Sequence, residues 1–562
     1  MARLLALALL CALPARAAVQ VWVADESEKV RPSAAVPAAG APARIRLAAA
    51  GGECTGAQIV VRSPDGVRGV TASPLPLRHG EAATVTLELS RVATIELTQP
   101  SGPEGSAGEW PDALIPVRDA IWNETRRAFP VDVGPGRAQA IFVEACAPRG
   151  APGRYAGAVQ LGWMSPKGAV RASVPVELRV RAFDIPATPE LTTAFGFSGY
   201  SAAKGHGRPP SDGHELTRLY DTIALRRGIT LFGGTQDAPD YAALDDAVRI
   251  DWNSYDAEVA PFLDGTALPS GARWTAVELR EPARLTRPQR RSWRRAWVEH
   301  FRERGWLDRL FVYVQDEPRP EEFPRVEERA RELREDAPEV RRLLTTAWSD
   351  RLPSIDLWVP LLNCLDPRAP SCPRAAPRSS YDKLWWYQSC MSHGCGPLRP
   401  RDRDAFTGWP SYMIDAPATA ARAMGWLAFA NGISGELYFD VVHAYGLGDP
   451  WQSQWAFGGN GDGTLYYPGT AARIGGKHDV PVESLRIVQI QRGLQDHAYL
   501  ALCARLGDPR LARAEALAIA PSLRGWARDP RAYAAARERL AARIEALVAG
   551  ARAGTLQLGR VE

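Results

Sequence analysis

Beyond its first 18 residues the 562-residue sequence has no apolar stretch long enough to cross a bilayer, so no membrane-spanning anchor is expected in the mature chain. It has no Walker or dinucleotide-binding fingerprint and no G-x-S-x-G elbow, which removes the usual sequence evidence for a nucleotide-dependent enzyme or an α/β-hydrolase. Charge of one sign is scarce: 68 basic residues against 64 acidic ones leave +4, which does not point to a nucleic-acid partner. No tandem repeat is evident. The cysteines lack the paired C-x-x-C spacing of common zinc sites, so no metal or other cofactor is expected. With 46% hydrophobic and 23% charged residues, disorder is not expected either, and the length calls for two or three domains.

What is present begins with MARLLALALLCALPARAA: one basic residue, an apolar run from Leu4 to Leu13, then Ala15, Ala17 and Ala18. This reads as a secretory signal peptide over residues 1–18, and it predicts a secreted or periplasmic protein. Cys11 goes with it. The other cysteines would meet oxidising conditions, so pairing is expected: Cys54 with Cys146, two bridges within Cys364, Cys372, Cys390 and Cys395, and Cys503 free. Cys390, His393 and Cys395 form an alternative zinc set. The 18 tryptophans exceed ordinary core needs and suit a surface that stacks on sugar rings.

From residue 19 to 186 short alternating runs are broken by Gly and Pro. The clearest is Val174, Val176, Leu178 and Val180, interleaved with Glu177, Arg179 and Arg181; period two means one buried face, and the region reads as a β-sandwich. After the linker PATPE the rhythm becomes strand then helix, the mark of a parallel sheet with helices outside. Eight candidate strands, at residues 193–197, 229–232, 310–314, 343–346, 357–360, 384–387, 412–414 and 435–439, make residues 191–469 a (β/α)8 TIM-like barrel. Residues 481–562 read as a C-terminal helical region, with Leu485, Val488, Leu494 and Leu500 spaced to pack back on the barrel. The whole is a multidomain α/β protein.

The stretch LFVYVQDEP, 310–318, carries the chemistry. Leu310 to Val314 form an apolar run of the kind buried on both faces of a sheet. The run ends in two adjacent carboxylates, Asp316 and Glu317, and Pro318 stops it because proline has no N–H for the ladder. Carboxylates at the carboxyl end of a buried parallel strand stand where α/β barrels keep their catalytic groups. Helix capping by Asp316 is the bland alternative.

GWLDRLFVYVQDEP, with DWNSYDAEVAPFLDG at 251–265, resembles glycoside hydrolase family 123 and the larger group called domain of unknown function 4091. RAQAIFVEACAPRGAPGRYAGAV, LWWYQSC, MGWLAFANGISGELYFD and PVESLRIVQIQRGLQDHAYL extend the resemblance over nearly the whole mature chain. It implies a β-sandwich, a catalytic barrel and C-terminal helices. It also implies β-N-acetylgalactosaminidase-like activity by substrate-assisted retention, in which the substrate's own 2-acetamido oxygen attacks the anomeric carbon. Asp316 then matches the residue that orients the acetamido group, and Glu317 the acid/base. The sequence departs from the family at Gln495 to Ala498 and in the cysteine-rich insert LNCLDPRAPSCPRAAPRSS, which leaves sugar specificity open.

A glycan is therefore the expected partner. Trp348, Trp385, Trp386, Tyr387, Tyr438 and Asp440, at or just past predicted strand ends, are candidates to bind it, although core packing is the alternative for each ring. Tyr313 reads as filler of the barrel interior. GGNGDGT, 458–464, lacks the acidic ligands of a calcium loop and reads as a turn. A non-catalytic carbohydrate-binding protein on the same fold is the competing reading.

Overall fold

The structure is a computed structural model that describes residues 19–38, 43–80, 83–166, 168–233, 238–366, 383–396 and 398–552. Its first part contains two sheets enclosing a shared core. One is ordered Gln20–Asp25, Cys54–Arg62, Ala138–Cys146, Leu87–Leu97 and Gly108–Pro116; the other centres on the long strands Val67–His79, Gly153–Ser165 and Gly168–Asp184. Ile59, Val61, Ile141 and Val143 meet Val159, Leu161, Val176 and Leu178 between them. Cys54 stands directly opposite Cys146 on neighbouring strands and is bonded to it.

The alternation at 174–180 holds, but the polar face is not all wet. Arg181 is buried where the C-terminal helix Pro530–Arg552 crosses it, paired with Glu538 and Glu545. The helix Leu485–Arg505 is covered on more than one side. Leu485 and Val488 pack on the first sheet beside Val60, Leu114 and Phe142, while Ile487, Ile490, Leu494 and Leu500 join the core around the barrel. So only part of the predicted face turns to the barrel. Between the units Arg492 bonds Glu26 and Glu144 at 2.9 and 2.5 Å, and Arg227 bonds Glu144 at 2.8 Å, pairing charges that burial would otherwise penalise.

Eight parallel strands form the barrel wall: Thr192–Gly196, Leu231–Phe232, Val277–Glu278, Leu310–Gln315, Arg341–Leu344, Leu357–Trp358, Lys383–Tyr387 and Gly435–Tyr438. They are numbered here from one to eight. The pairing order leaves the second and third unpaired with each other, and Thr230 and Thr275 span that seam, with a 3.0 Å contact between their hydroxyls and the Thr275 N–H bonded to the Thr230 hydroxyl at 2.9 Å. Seven of the expected strands are present. The remaining one, 412–414, is not a strand; Val277–Glu278, the third in the wall, makes up the number and is too short a pairing to leave a recognisable run. Tyr412 instead lies outside the barrel wall, donating its hydroxyl to Glu436. Nor is the helix ring complete: among the described residues no α-helix joins the fifth strand to the sixth.

Glu436 is 3% exposed, and burial pushes its carboxyl up to about 7 from an ordinary 4.5. Its protonated form is therefore favoured by folding. That contribution is fully present below pH 4.5 and is lost as pH rises through 7, a displacement equivalent to roughly 3 kcal/mol. Glu436→Gln keeps an acceptor for Tyr412 and should raise stability at pH 8 relative to the wild type while changing little at pH 4. Chemical denaturation of both proteins at the two pH values measures this. Asp440 and Asp462 are also pushed up to about 7 by burial, so the difference between the proteins isolates Glu436.

Candidate active site

Side chains of the fourth strand alternate as a two-sided strand requires. Val312 and Val314 point into the outer core, whereas Phe311 joins Leu343, Leu357, Trp385 and Leu437 inside the barrel, with half-buried Tyr313 packed against that cluster. Strict alternation would send Asp316 and Glu317 to opposite faces. The strand ends at Gln315, however, and Glu317 has a left-handed backbone with φ +38°, a conformation rare for a residue with a side chain. Both carboxylates are exposed at the barrel mouth.

Three neighbours hold them. The Tyr313 hydroxyl donates to Asp316 Oδ1 at 2.6 Å, and Thr345, just past the fifth strand, donates to the same oxygen at 3.0 Å. Thr345 Oγ1 also accepts the Glu317 N–H at 2.8 Å, so one buried hydroxyl fixes the first carboxylate and the strained peptide of the second. Tyr387, the last residue of the seventh strand, donates to Glu317 Oε1 at 2.5 Å. Burial, reinforced by the adjacent carboxylates, pushes both phenols far above their ordinary range, so they remain donors at any working pH. Asp316 receives the Tyr313 and Thr345 hydroxyls on Oδ1, which leaves Oδ2, among the described residues, available as an acceptor. Among the described residues Glu317 keeps Oε2 available to carry or receive a proton.

Glu317 lines a cavity of about 490 Å³ together with Pro318, Thr345, Thr346, Ala347 and Tyr387, and Asp316 is held beside it by Thr345, one of those lining residues. Leu361, Cys364, Met391, Cys395, Leu398 and Phe406 supply the apolar part of its wall. That apolar wall is tied by the Cys390–Cys395 disulfide, which consumes the thiols of the alternative zinc set; His393 is buried, and burial holds its imidazole down to about 4. Cys364 is disulfide-bonded as well, while Cys372 and most of the cysteine-rich insert lie outside the described residues. Cys503 is a free, buried thiol.

Of the ring candidates, only Tyr387 reaches the cavity. Trp385 fills the barrel interior against Phe311, where a Cβ on Gly435 would lie 2.5 Å from its ring. Trp386 points the other way into the outer core, as does Tyr438, which accepts the Gly463 N–H at 2.8 Å and packs on Tyr412. Trp348 follows the lining residue Ala347 but turns onto Trp358. Asp440 accepts the Val442 N–H at 2.7 Å at the end of the eighth strand and is not among the lining residues. GGNGDGT does form turns, and its Asp462 accepts the Cys390 N–H at 2.9 Å.

Thr345 is the residue that sequence reading missed; Tyr313 packs against the barrel interior as expected, but its hydroxyl turns to Asp316. The available signal was a hydroxyl at a strand end, in LLTTAW, next in the sheet to the acidic strand. Thr345→Val removes the hydroxyl at nearly constant volume and should lower kcat about tenfold to a hundredfold with little change in KM. Thr345→Ser should restore most of it. Steady-state kinetics with any cleaved glycoside checks this, and equal losses in Val and Ser variants would count against the clamp.

Residues 291–503 match the family model for glycoside hydrolase 123, catalytic domain, a span that contains Asp316, Glu317, Thr345 and Tyr387. Among solved structures the chain is similar to a family 123 glycoside hydrolase from Clostridium perfringens described for glycolipid glycan hydrolysis. Identity is 12% and the TM-score 0.60, over 96% of this chain and 99% of that one. Two smaller matches are to a PapD-like domain of human CEP192 (10% identity, TM-score 0.14, 32% of this chain and 96% of that one) and to MyfA, the major subunit of Myf fimbriae from Yersinia enterocolitica (15%, 0.15, 29% and 98%). None of the curated proteins matches. The chain resembles the family 123 enzymes in sequence over the matched span and in fold over nearly its whole length, and this supports a glycoside hydrolase.

Proposed function

We propose that this protein is an exported retaining glycosidase that cleaves β-linked N-acetylhexosamine, N-acetylgalactosamine foremost, with the substrate's acetamido group as nucleophile. The observation that carries this reading is the unequal treatment of two adjacent carboxylates. Asp316 is fixed by two hydroxyls on one oxygen and offers the other. That suits an acceptor for the acetamido N–H: it would orient the carbonyl oxygen toward the anomeric carbon and stabilise the positive charge that develops as the ring closes. Among the described residues Glu317 has a single hydroxyl partner, and it stands exposed on the cavity wall, which suits a group that gives a proton to the leaving oxygen and takes one from the incoming water. Each step balances. The glycosidic bond breaks as the acetamido oxygen bonds the anomeric carbon, then water opens the oxazolinium from the same face as the departed group, so configuration is retained.

Export is supported by the leader-like first residues and by disulfides at Cys54–Cys146 and Cys390–Cys395, which persist in oxidising compartments.

The test is a panel of aryl β-glycosides and natural glycans with NMR detection of the first-formed anomer. Cleavage confined to 2-acetamido sugars, with the β-anomer released first, is expected. Inversion, or faster cleavage of sugars lacking the acetamido group, would sink the mechanism. Binding without turnover on every glycan would favour a non-catalytic carbohydrate-binding protein.

A further inference from the structure

Phe457 is placed where a phenylalanine has no structural reason to be. Trp455–Ala456 and Gly459–Asn460 pair as a hairpin whose two-residue turn is Phe457–Gly458, both with positive φ, +49° and +93°. A turn of that hand calls for Asn-Gly or Gly-Gly, because a β-carbon is strained there. Among the described residues only three non-glycines have positive φ: Asn123, an asparagine that tolerates it; Glu317, in the candidate site; and Phe457.

Nor is the ring buried in compensation. Phe457 is 59% exposed. One face lies on the His443 imidazole at 4.9 Å between centroids and 29° between planes, with the Phe439 ring edge-on at 5.7 Å. A backed aromatic ring with its other face open is a platform, and the apolar C–H face of a pyranose is the complementary surface.

Its position joins it to the catalytic cavity. The Gly458 carbonyl accepts the Gly396 N–H at 3.3 Å, and the neighbouring Cys395 lines the cavity. Backbones touch here, since a β-carbon on Gly458 would fall 2.0 Å from Gly396 N. Phe439 and His443, which back the ring, follow the eighth strand at the barrel mouth.

Resting on the glycosidase reading, we infer that Phe457 is the stacking platform of a second sugar subsite. It holds the residue next to the sugar that is cleaved, and so selects an oligosaccharide over a simple monoglycoside. The experiment measures kcat/KM for a tetrasaccharide ending in β-linked N-acetylgalactosamine and for an aryl N-acetylgalactosaminide, in wild type, Phe457→Ala, Phe457→Asn and Phe457→Trp. The ratio of the two constants should fall about tenfold in the Ala and Asn variants, the worth of one aromatic contact, and persist in Trp. Asn fits the turn better, so its Tm should equal or exceed that of the wild type; loss of the ratio without loss of stability separates binding from folding. An unchanged ratio in the Ala variant overturns the subsite, as does an equal loss on both substrates. Should the wild type cleave neither, the glycosidase reading fails on its own. Calorimetric titration of the same tetrasaccharide then decides the platform: it stands if Phe457→Asn weakens binding and falls if it does not.

Discussion

Glu317→Gln is expected to reduce turnover of a natural β-N-acetylhexosaminide by about a thousandfold, the range in which a positioned general acid contributes. The loss should depend on the leaving group. An alkoxide departing from a sugar hydroxyl needs its proton, whereas a dinitrophenolate departs nearly unaided, so the activated aryl substrate should lose about tenfold or less. Stability is not expected to change much, because Glu317 is exposed and its side-chain partner Tyr387 can donate equally to an amide oxygen. Kinetics across a series of aryl leaving groups checks this. A slope no steeper than that of the wild type would remove Glu317 from the acid role.

Asp316→Asn should behave differently. Its proposed task is to hold the acetamido group and stabilise the charge of the cyclised intermediate, so the loss, about a hundredfold to a thousandfold, should be similar for good and poor leaving groups. The substitution keeps the acceptor for Tyr313 and Thr345, provided the amide oxygen takes the Oδ1 place, and removes only the charge. A thiazoline analogue of the cyclised intermediate, made for transition-state-like charge, should bind the variant more weakly than the wild type by a comparable factor. If Asp316→Asn shows the leaving-group dependence and Glu317→Gln does not, the two roles are exchanged; if neither changes the rate, the chemistry lies elsewhere.

Phe457 and Thr345 illustrate two ways in which function escapes a sequence reading. Phe457 is an ordinary apolar residue until the turn that contains it is known to be left-handed at that position. Thr345 is one threonine in LLTTAW until the fifth strand is laid beside the fourth, which brings its hydroxyl to the Glu317 N–H across 28 residues of chain. Conversely, the acidic pair was legible because an apolar run, two carboxylates and a proline are consecutive, and no distant partner is needed to see that a buried strand stops in charge.

By itself the sequence determined the features whose cause is local. Alternation marks the strand at 174–180, composition marks the strand that carries the carboxylates, and the helical spacing of Leu485, Val488, Leu494 and Leu500 marks the helix Leu485–Arg505. Tertiary structure alone decided which way those elements face. Trp385, Trp386 and Tyr387 are consecutive, and period two separates the middle ring from its neighbours but cannot say which side is the barrel interior, how deep each ring sits, or what stands opposite. Closure of eight strands settles it: Trp385 becomes interior packing, Trp386 outer core, and Tyr387, one step nearer the mouth than Trp385 on the same side, meets Glu317 from 70 residues away. A strand's periodicity is a property of its backbone, whereas the neighbour each side chain meets is a property of the sheet, and the sheet's order is fixed only when the chain has closed on itself.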